Sequence, residues 1–170
     1  MQFLGVDLGD KRTGVAAGDT VSGIVSPVEV IEVAVDAAGG EELLRRVAKA
    51  VGEYRPAAIV VGLPLNMDGS EGPAAKKVRA FGERLAAHTR TRVEFQDERL
   101  TSADADWAMS QSGLTHKQKK KRRDALAACA ILRDYLLARG RSPSASSSGD
   151  ADPAEPAPPA PGDPRTSENA

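Results

Sequence analysis

Acidic residues stand out at three separate places in this sequence. Asp7 interrupts the apolar run at residues 3–8, which is costly for a carboxylate unless it is paired or coordinated. An ion pair with Lys11 or Arg12, or a slightly shorter strand, would explain Asp7 equally well. Residues 96–101, Gln-Asp-Glu-Arg-Leu-Thr, follow a short predicted strand, and such strand-end loops often carry the sites of α/β proteins. They also suit a charged loop that leads into a helix.

The third acid, Asp124, lies in line with an apolar stripe on a predicted helix. The stripe contains Ala127, Ala128, Ile131 and Tyr135. These spacings put Asp124 on the helix face that should pack against a sheet. The alternative role is that of an acid at the helix start, which favours the helix dipole and pairs with Arg122 or Arg123.

Together the three acids indicate a chemistry that none of them indicates alone. Mg²⁺ and Mn²⁺ prefer hard oxygen ligands, and a few carboxylates suffice because water and substrate phosphate complete the coordination. Two such ions about 3.5–4 Å apart can stabilise the attacking and the leaving oxygen when a phosphodiester is cleaved. The pattern therefore favours phosphodiester cleavage with Mg²⁺ or Mn²⁺ as the cofactor.

A dense basic segment precedes Asp124, with Lys or Arg at six of the seven positions 117–123. Such a block usually forms a solvated face, but it is also typical of a phosphate-binding surface. No aromatic residue interleaves it, so base stacking by this segment is not indicated. The candidate contacts to nucleic acid are Lys11, Arg12, Arg99, Lys117, Lys119, Lys120, Lys121, Arg122 and Arg123.

The elements that must position these residues are predicted from hydrophobic periodicity and turn residues. Strands are predicted at residues 3–8, 14–17, 28–33, 57–62 and 93–95, and helices at residues 41–54, 73–88, 101–109 and 119–139. The order β-β-β-α-β-α-β-α-α predicts an α/β fold with a mixed five-stranded sheet flanked by helices.

The composition changes abruptly after Arg141. Residues 142–170 hold 7 of the 11 prolines, five acids and one basic residue, and we expect them to form a disordered acidic tail because they cannot bury enough apolar surface. Residues 1–141 carry 22 basic and 19 acidic side chains and are long enough for one core. A membrane span, a disulfide and a cleaved signal peptide are not expected. We therefore expect a cytoplasmic protein, monomeric or homodimeric.

Five segments resemble, in order, the motifs of one family. They are residues 5–9 with 11–16, Ser26-Pro27, residues 61–73, residues 97–101, and Asp124 with residues 126–128. On these motifs the chain resembles, over residues 3–137, the YqgF family of RNase H-like pre-16S ribosomal RNA nucleases related to Holliday-junction resolvases. One departure is Gly18, where members often have Ser before the acid.

The resemblance implies an RNase H-like fold for residues 1–141 and a metal-dependent nuclease that matures the 5′ end of 16S ribosomal RNA in the cytoplasm. It also implies that Asp7, Glu98 and Asp124 are the catalytic and metal-binding acids. A resolvase of branched DNA is the alternative substrate class. A binding module that no longer cleaves would be expected to lack one of the acids, and all three are present. An actin-like ATPase, which shares Asp-Leu-Gly, would need two such domains.

Overall fold

The structure is a computed structural model that describes residues 1–100 and 116–141, without the side chains of residues 100, 116–122 and 141. The predicted helix at residues 101–109 and the tail at residues 142–170 lie outside the described residues. Within the described ranges, no helix is both long and apolar enough to cross a membrane.

The described residues form a mixed five-stranded sheet with helices on both faces, as predicted. Its elements are β1 (Gln2–Leu8), β2 (Thr13–Asp19), β3 (Val25–Ile31), α1 (Glu41–Tyr54), β4 (Ala58–Leu63), α2 (Pro73–Thr89), β5 (Val93–Asp97) and α3 (His116–Arg141). Short 3-10 helices cover residues 37–40 and 98–100. The strand order is β3-β2-β1-β4-β5. Strand β2 runs antiparallel to β1 and β3, whereas β4 is parallel to β1 and β5.

The sheet separates two apolar layers because successive side chains of a strand point to opposite faces. One face packs against α1 and α2 through residues that include Leu4, Val6, Ile59 and Val61. The other face packs against α3 through Phe3, Ala16, Ala58 and Val60. Helices cover both faces of the central strands, so β1 and β4 are apolar over most of their length, as expected for buried parallel strands.

Strand β3 begins three residues and ends two residues before the predicted range of residues 28–33. It pairs with β2 from Val25 to Ile31, with an irregularity between Val15 and Ala16. Pro27 is tolerated there because β3 is an edge strand of the described sheet, where a missing N–H can face outward. The predicted range follows the Val and Ile residues at positions 28–33, whereas pairing with β2 decides where the strand begins and ends.

Helix α3 begins at His116, three residues before the predicted start. Asp124 consequently lies eight residues into the helix, in its third turn. A carboxylate at this depth gains little from the helix dipole, whose effect is confined to the first turn. The interpretation of Asp124 as a helix-start acid is therefore wrong for this structure.

Two glycines of the hairpin allow α3 to approach the sheet closely. A Cβ atom at Gly5 would lie 2.8 Å from the carbonyl oxygen of Ala128 and 2.8 Å from the Cβ atom of Leu132. A Cβ atom at Gly14 would overlap the main-chain carbonyl of Asp124. The helix backbone thus rests on β1 and β2, and this contact sets the position of Asp124.

Candidate active site

Asp7 lies near the end of β1 and faces α3. Phe3 and Gly5 contact α3 from the same strand, and the two-residue alternation of a strand puts Asp7 on their face. Asp7 is half-buried. Burial and, to a lesser extent, the nearby carboxylate of Asp124 together raise the pKa of Asp7 to about 6. Both effects disfavour the charged form of the side chain.

Glu98 follows β5 directly, in the short 3-10 helix at residues 98–100. Strands β4 and β5 are parallel, so their carboxyl ends meet at the same edge as that of β1. Burial and, to a lesser extent, the carboxylates of Asp7 and Asp97 together raise the pKa of Glu98 to about 7. The Glu98 carboxylate therefore lies within electrostatic range of Asp7, although 91 residues separate the two in sequence.

The space for the Glu98 side chain comes from Gly62 on β4. A Cβ atom at this position would overlap Oε1 of Glu98 and would lie 2.5 Å from Cδ1 of Ile131 in α3. Val6 pairs with Val61, so the next residues, Asp7 and Gly62, are neighbours on the α3 face. Two adjacent strands thus bring Asp7 and the Glu98 carboxylate under the same helix.

Asp124 completes the group from the helix side. Its Oδ2 atom is buried and accepts no hydrogen bond within the described part of the chain. Nη1 of Arg12 lies 3.7 Å from Oδ2, which is an ion-pair distance but too long for a hydrogen bond. The structure therefore brings together Asp7, Glu98 and Asp124, which come from β1, the end of β5 and α3.

The donor chemistry of these acids suits a divalent cation. Carboxylate oxygens are the ligands that Mg²⁺ and Mn²⁺ prefer, and the mutual repulsion between Asp7 and its two neighbours is what a cation would relieve. The buried, unbonded Oδ2 of Asp124 offers a further lone pair. Among the described side chains, however, no group of three or more His, Cys, Asp or Glu residues is already arranged as a metal-ligand set.

The predicted nucleic-acid contacts differ in their surroundings. Lys11 is exposed in the loop between β1 and β2, and Arg123 is exposed on α3. Arg12 is half-buried, with Nε 3.7 Å from Glu32 and Nη1 near Asp124. The side chains of Lys117, Lys119, Lys120, Lys121 and Arg122 lie outside the described residues.

Arg99 connects the loop after β4 to the end of β5, directly before Glu98. Its Nε and Nη2 donate to the carboxylate of Asp97, at 2.9 and 2.6 Å from Oδ2, and its Nη1 donates to the carbonyl oxygen of Met67 at 3.2 Å. In this structure the guanidinium of Arg99 thus holds the loop after β4 against the end of β5.

The loop after β4 is itself tightly hydrogen-bonded. The side chain of Asn66 donates to Oγ of Ser70, and Oδ1 of Asp68 accepts from both the amide and the hydroxyl of Ser70. Gly69 has a φ of 84°, a left-handed backbone conformation that glycine adopts without steric cost. Met67 at its tip is 92% exposed. The loop therefore presents a fixed surface beside the acids.

Sequence analysis did not identify Gly62, Gly14 or Asp97 as determinants of the site. The available indication was that glycine interrupts two otherwise apolar strands, which is typical of a close approach by another backbone or side chain. Sequence alone could not identify the approaching group, since both Glu98 and Asp124 are distant along the chain.

The chain matches one family model over most of its length. The model, described as "RuvX: Holliday junction resolvase", matches residues 1–138. A protein of Lactococcus lactis subsp. cremoris named "Putative pre-16S rRNA nuclease" is 40% identical over 137 residues, covering 81% of this chain and 94% of the relative. A protein of Anaeromyxobacter sp. with the same name is 40% identical over 139 residues, covering 82% of this chain and 98% of the relative.

Solved structures with the same fold include two resolvases. Thermus thermophilus RuvC in complex with a Holliday junction substrate superposes with a TM-score of 0.54 at 15% identity, covering 83% of this chain and 96% of RuvC. The Fowlpox virus resolvase in complex with Holliday junction DNA superposes with a TM-score of 0.50 at 14% identity, covering 81% of this chain and 99% of the resolvase. At these identities the likeness concerns the fold.

The comparisons confirm the RNase H-like fold and the prediction of a nuclease, a hydrolase that acts on phosphodiester bonds. The family match and the resemblance drawn from the five motifs cover nearly the same residues. The chain therefore belongs to the RuvX family, described as Holliday junction resolvases.

Proposed function

We propose that this protein is a divalent-metal-dependent nuclease of the cytoplasm that matures the 5′ end of precursor 16S ribosomal RNA. The observation that carries the proposal is the convergence of Asp7, Glu98 and Asp124 on one face of the sheet, where Asp7 and Glu98 both have raised pKa values. The substrate class is supported by the names of relatives at 40% identity.

Asp7, Glu98 and Asp124 would hold the metal in this proposal. Bound Mg²⁺ or Mn²⁺ would supply a water of lowered pKa and positive charge for the phosphate oxygens. In the metal-free protein the carboxyl of Glu98, with a pKa of about 7, holds a proton in a substantial fraction of molecules at neutral pH. Metal binding requires ionised carboxylates, so loading the site would release protons.

The other residues around the site would bind and orient the substrate. Lys11 and Arg123 are exposed and adjoin Arg12 and Asp124 in the sequence, and the basic segment at residues 117–123 belongs to the same helix as Asp124. Contacts from such residues to phosphates would position nucleic acid without reading its sequence. The loop held by Arg99, with Met67 exposed at its tip, would form another wall.

A second candidate substrate is a four-way DNA junction, which the description of the family model and the resolvase complexes favour. The RNase H-like fold alone does not discriminate between precursor ribosomal RNA and a DNA junction, because one fold supports many substrates.

The experiment that tests the proposal compares both substrates directly. The full chain is incubated with precursor 16S ribosomal RNA and with a four-way DNA junction, each with Mg²⁺, Mn²⁺ or EDTA, and the Asp7→Asn variant is the matched control. We expect metal-dependent cleavage of the RNA near its mature 5′ end and none by the variant. Cleavage of the junction alone would assign the DNA substrate. Binding without cleavage in either metal would indicate a module that does not cleave.

A further inference from the structure

The guanidinium of Arg12 occupies an unusual position beside the acids. Arg12 lies in the loop between β1 and β2, and its Nη1 is 3.7 Å from Oδ2 of Asp124. Both atoms are buried, and neither has a hydrogen-bond partner within the described residues. On the other side, Nε of Arg12 is 3.7 Å from Oε1 of Glu32, the residue directly after β3.

This separation gives electrostatic attraction without a charge-assisted hydrogen bond. The side chains of Arg12 and Asp124 are 22% and 23% exposed, and burial of a charge without a hydrogen bond is unfavourable. A bidentate contact between arginine and carboxylate would be much stronger. Arg12 therefore offsets the charge of Asp124 but leaves Oδ2 free to accept a stronger partner.

We infer that Arg12 is the resident counter-cation of the acid group and that it competes with a divalent metal ion for Asp124. The inference rests on the metal site of the proposed function. In the metal-free protein, the charge of Arg12 reduces the repulsion between Asp124 and Asp7. The same charge opposes a metal ion that approaches these acids, so metal binding and the contact between Arg12 and Asp124 weaken each other.

Substrate would relieve this competition. A guanidinium binds phosphate in the same bidentate geometry as carboxylate, so a phosphate of the substrate can replace Asp124 as its partner. When Arg12 pairs with a phosphate, its charge no longer opposes the metal at Asp124. Arg12 thereby links metal loading to the arrival of the substrate and keeps the affinity for metal low in its absence.

The test measures Mn²⁺ binding to the full chain without nucleic acid, by calorimetry and by the spin-resonance signal of free Mn²⁺. Arg12→Gln is compared with Lys11→Gln, which removes the same charge from the neighbouring, exposed residue. We expect Arg12→Gln to bind Mn²⁺ roughly five- to tenfold more tightly than Lys11→Gln. Arg12→Lys retains the charge and should return the affinity toward that of the wild type.

Thermal unfolding supplies a second readout. In EDTA, Arg12→Gln should unfold at a lower temperature than Lys11→Gln, because the acids lose their counter-cation, and saturating Mn²⁺ should close the difference. If Arg12→Gln does not fold, Glu32→Gln serves instead. Glu29→Gln is its control, because it removes the same charge from the adjacent strand β3, where Glu29 pairs with Arg46 and not with Arg12. Release of Arg12 from Glu32 should strengthen its hold on Asp124 and weaken Mn²⁺ binding.

Two negative outcomes are distinguishable with the Asp124→Asn variant. If Mn²⁺ binds the wild type through Asp124, but Arg12→Gln binds no more tightly than Lys11→Gln, the role of Arg12 is overturned and the proposed nuclease site stands. If Asp124→Asn binds Mn²⁺ as the wild type does, the metal site at Asp124 is wrong, and the inference about Arg12 is overturned with it.

Discussion

The carboxylate of Glu98 occupies the space that a side chain at Gly62 would fill. A Cβ atom on Gly62 would overlap Oε1 of Glu98 and press on Cδ1 of Ile131. Gly62 is buried in β4, on the face of the sheet that carries Asp7. A strand position without a side chain therefore decides where an acid that follows the neighbouring strand can lie.

Gly62→Ala is expected to impair catalysis more than stability. The added methyl group should displace the Glu98 carboxylate, and a misplacement of about 1 Å can reduce a rate about 100-fold. The overpacking should cost about 1–3 kcal/mol of unfolding free energy. Cleavage assays and urea denaturation provide the measurements.

Gly52→Ala is the matched control for that substitution, since a Cβ atom at this exposed position in α1 meets open space. It should gain about 0.5–1 kcal/mol from helix propensity and leave cleavage unchanged. A Gly62→Ala protein that cleaves at the normal rate would show that Glu98 does not need its present position.

The metal-free protein is expected to become more stable as the pH falls from about 8 to about 5. The folded-state pKa values of Asp7 and Glu98, about 6 and about 7, lie above their ordinary values of 3.8 and 4.5. The folded protein therefore binds protons more tightly than the unfolded chain. The loss of unfolding free energy caused by Asp7 and Glu98 is greatest at a pH above their folded-state pKa values. Thermal unfolding in EDTA across this range measures the effect.

The Asp7→Asn variant controls the pH experiment. Removing one charge should raise the thermal midpoint at pH 8 and flatten the dependence on pH, because the repulsion from Asp124 and Glu98 is relieved. Mn²⁺ should stabilise the wild type at pH 8 more than the variant. Carboxyls with lowered pKa values, such as Asp97, act in the opposite direction and only at lower pH. Stability that falls between pH 8 and pH 5 would contradict the prediction.

Arg99→Lys is expected to loosen the loop after β4 without a change of charge. The planar guanidinium of Arg99 donates to both the Asp97 carboxylate and the Met67 carbonyl. The ammonium group of lysine cannot reproduce this geometry. Amide hydrogen exchange at Gly69 and Ser70 should accelerate, because the loop loses a hydrogen bond that anchors the Met67 carbonyl.

Arg45→Lys, at an exposed ion pair with Glu42 in α1, controls for a generic change of arginine to lysine and should have little effect on exchange in that loop. If Arg99→Lys weakens nucleic-acid binding while exchange in the loop stays unchanged, Arg99 acts as a direct substrate contact, as the sequence prediction has it.

The basic segment at residues 117–123 is expected to bind phosphates of the nucleic acid. Changing Lys119, Lys120 and Lys121 together to Gln should weaken binding of all sequences alike. The slope of log affinity against log salt should become shallower by roughly 0.7–0.9 for each phosphate that the variant no longer neutralises. Lys49→Gln on α1, next to Glu53, should leave the slope unchanged. An unaltered slope in the triple variant would reduce the segment to a solvated helix start.

Truncation after Arg141 is expected to leave both the thermal midpoint and metal-dependent cleavage nearly unchanged. The family match ends at residue 138, and residues 142–170 contain no aromatic residue, so they have little apolar surface with which to pack. Calorimetry and cleavage assays of the full and truncated chains measure this. A large loss of stability would show that the tail docks on the body.

The sequence by itself determined the succession along the chain of the strands and helices that the structure describes, and the identity of the candidate acids. Those features depend on local pattern, since hydrophobic periodicity and turn residues act over a few neighbouring positions. The burial of Val78, Phe81 and Leu85 on α2 was predictable in this way. The motif around Glu98 was likewise readable without a structure, because its residues are contiguous.

Only the tertiary structure decided the register of β3, the depth of Asp124 in α3 and the contacts that fix the acids. Pairing with β2 set the bounds and register of β3, although the Val and Ile residues at positions 28–33 predicted a strand that begins three residues later. The clearance at Gly62 and the approach of Arg12 to Asp124 join residues 36 and 112 positions apart. Such contacts depend on how the sheet and helices pack. The hydrophobic periodicity of one segment does not identify the distant segment that packs against it.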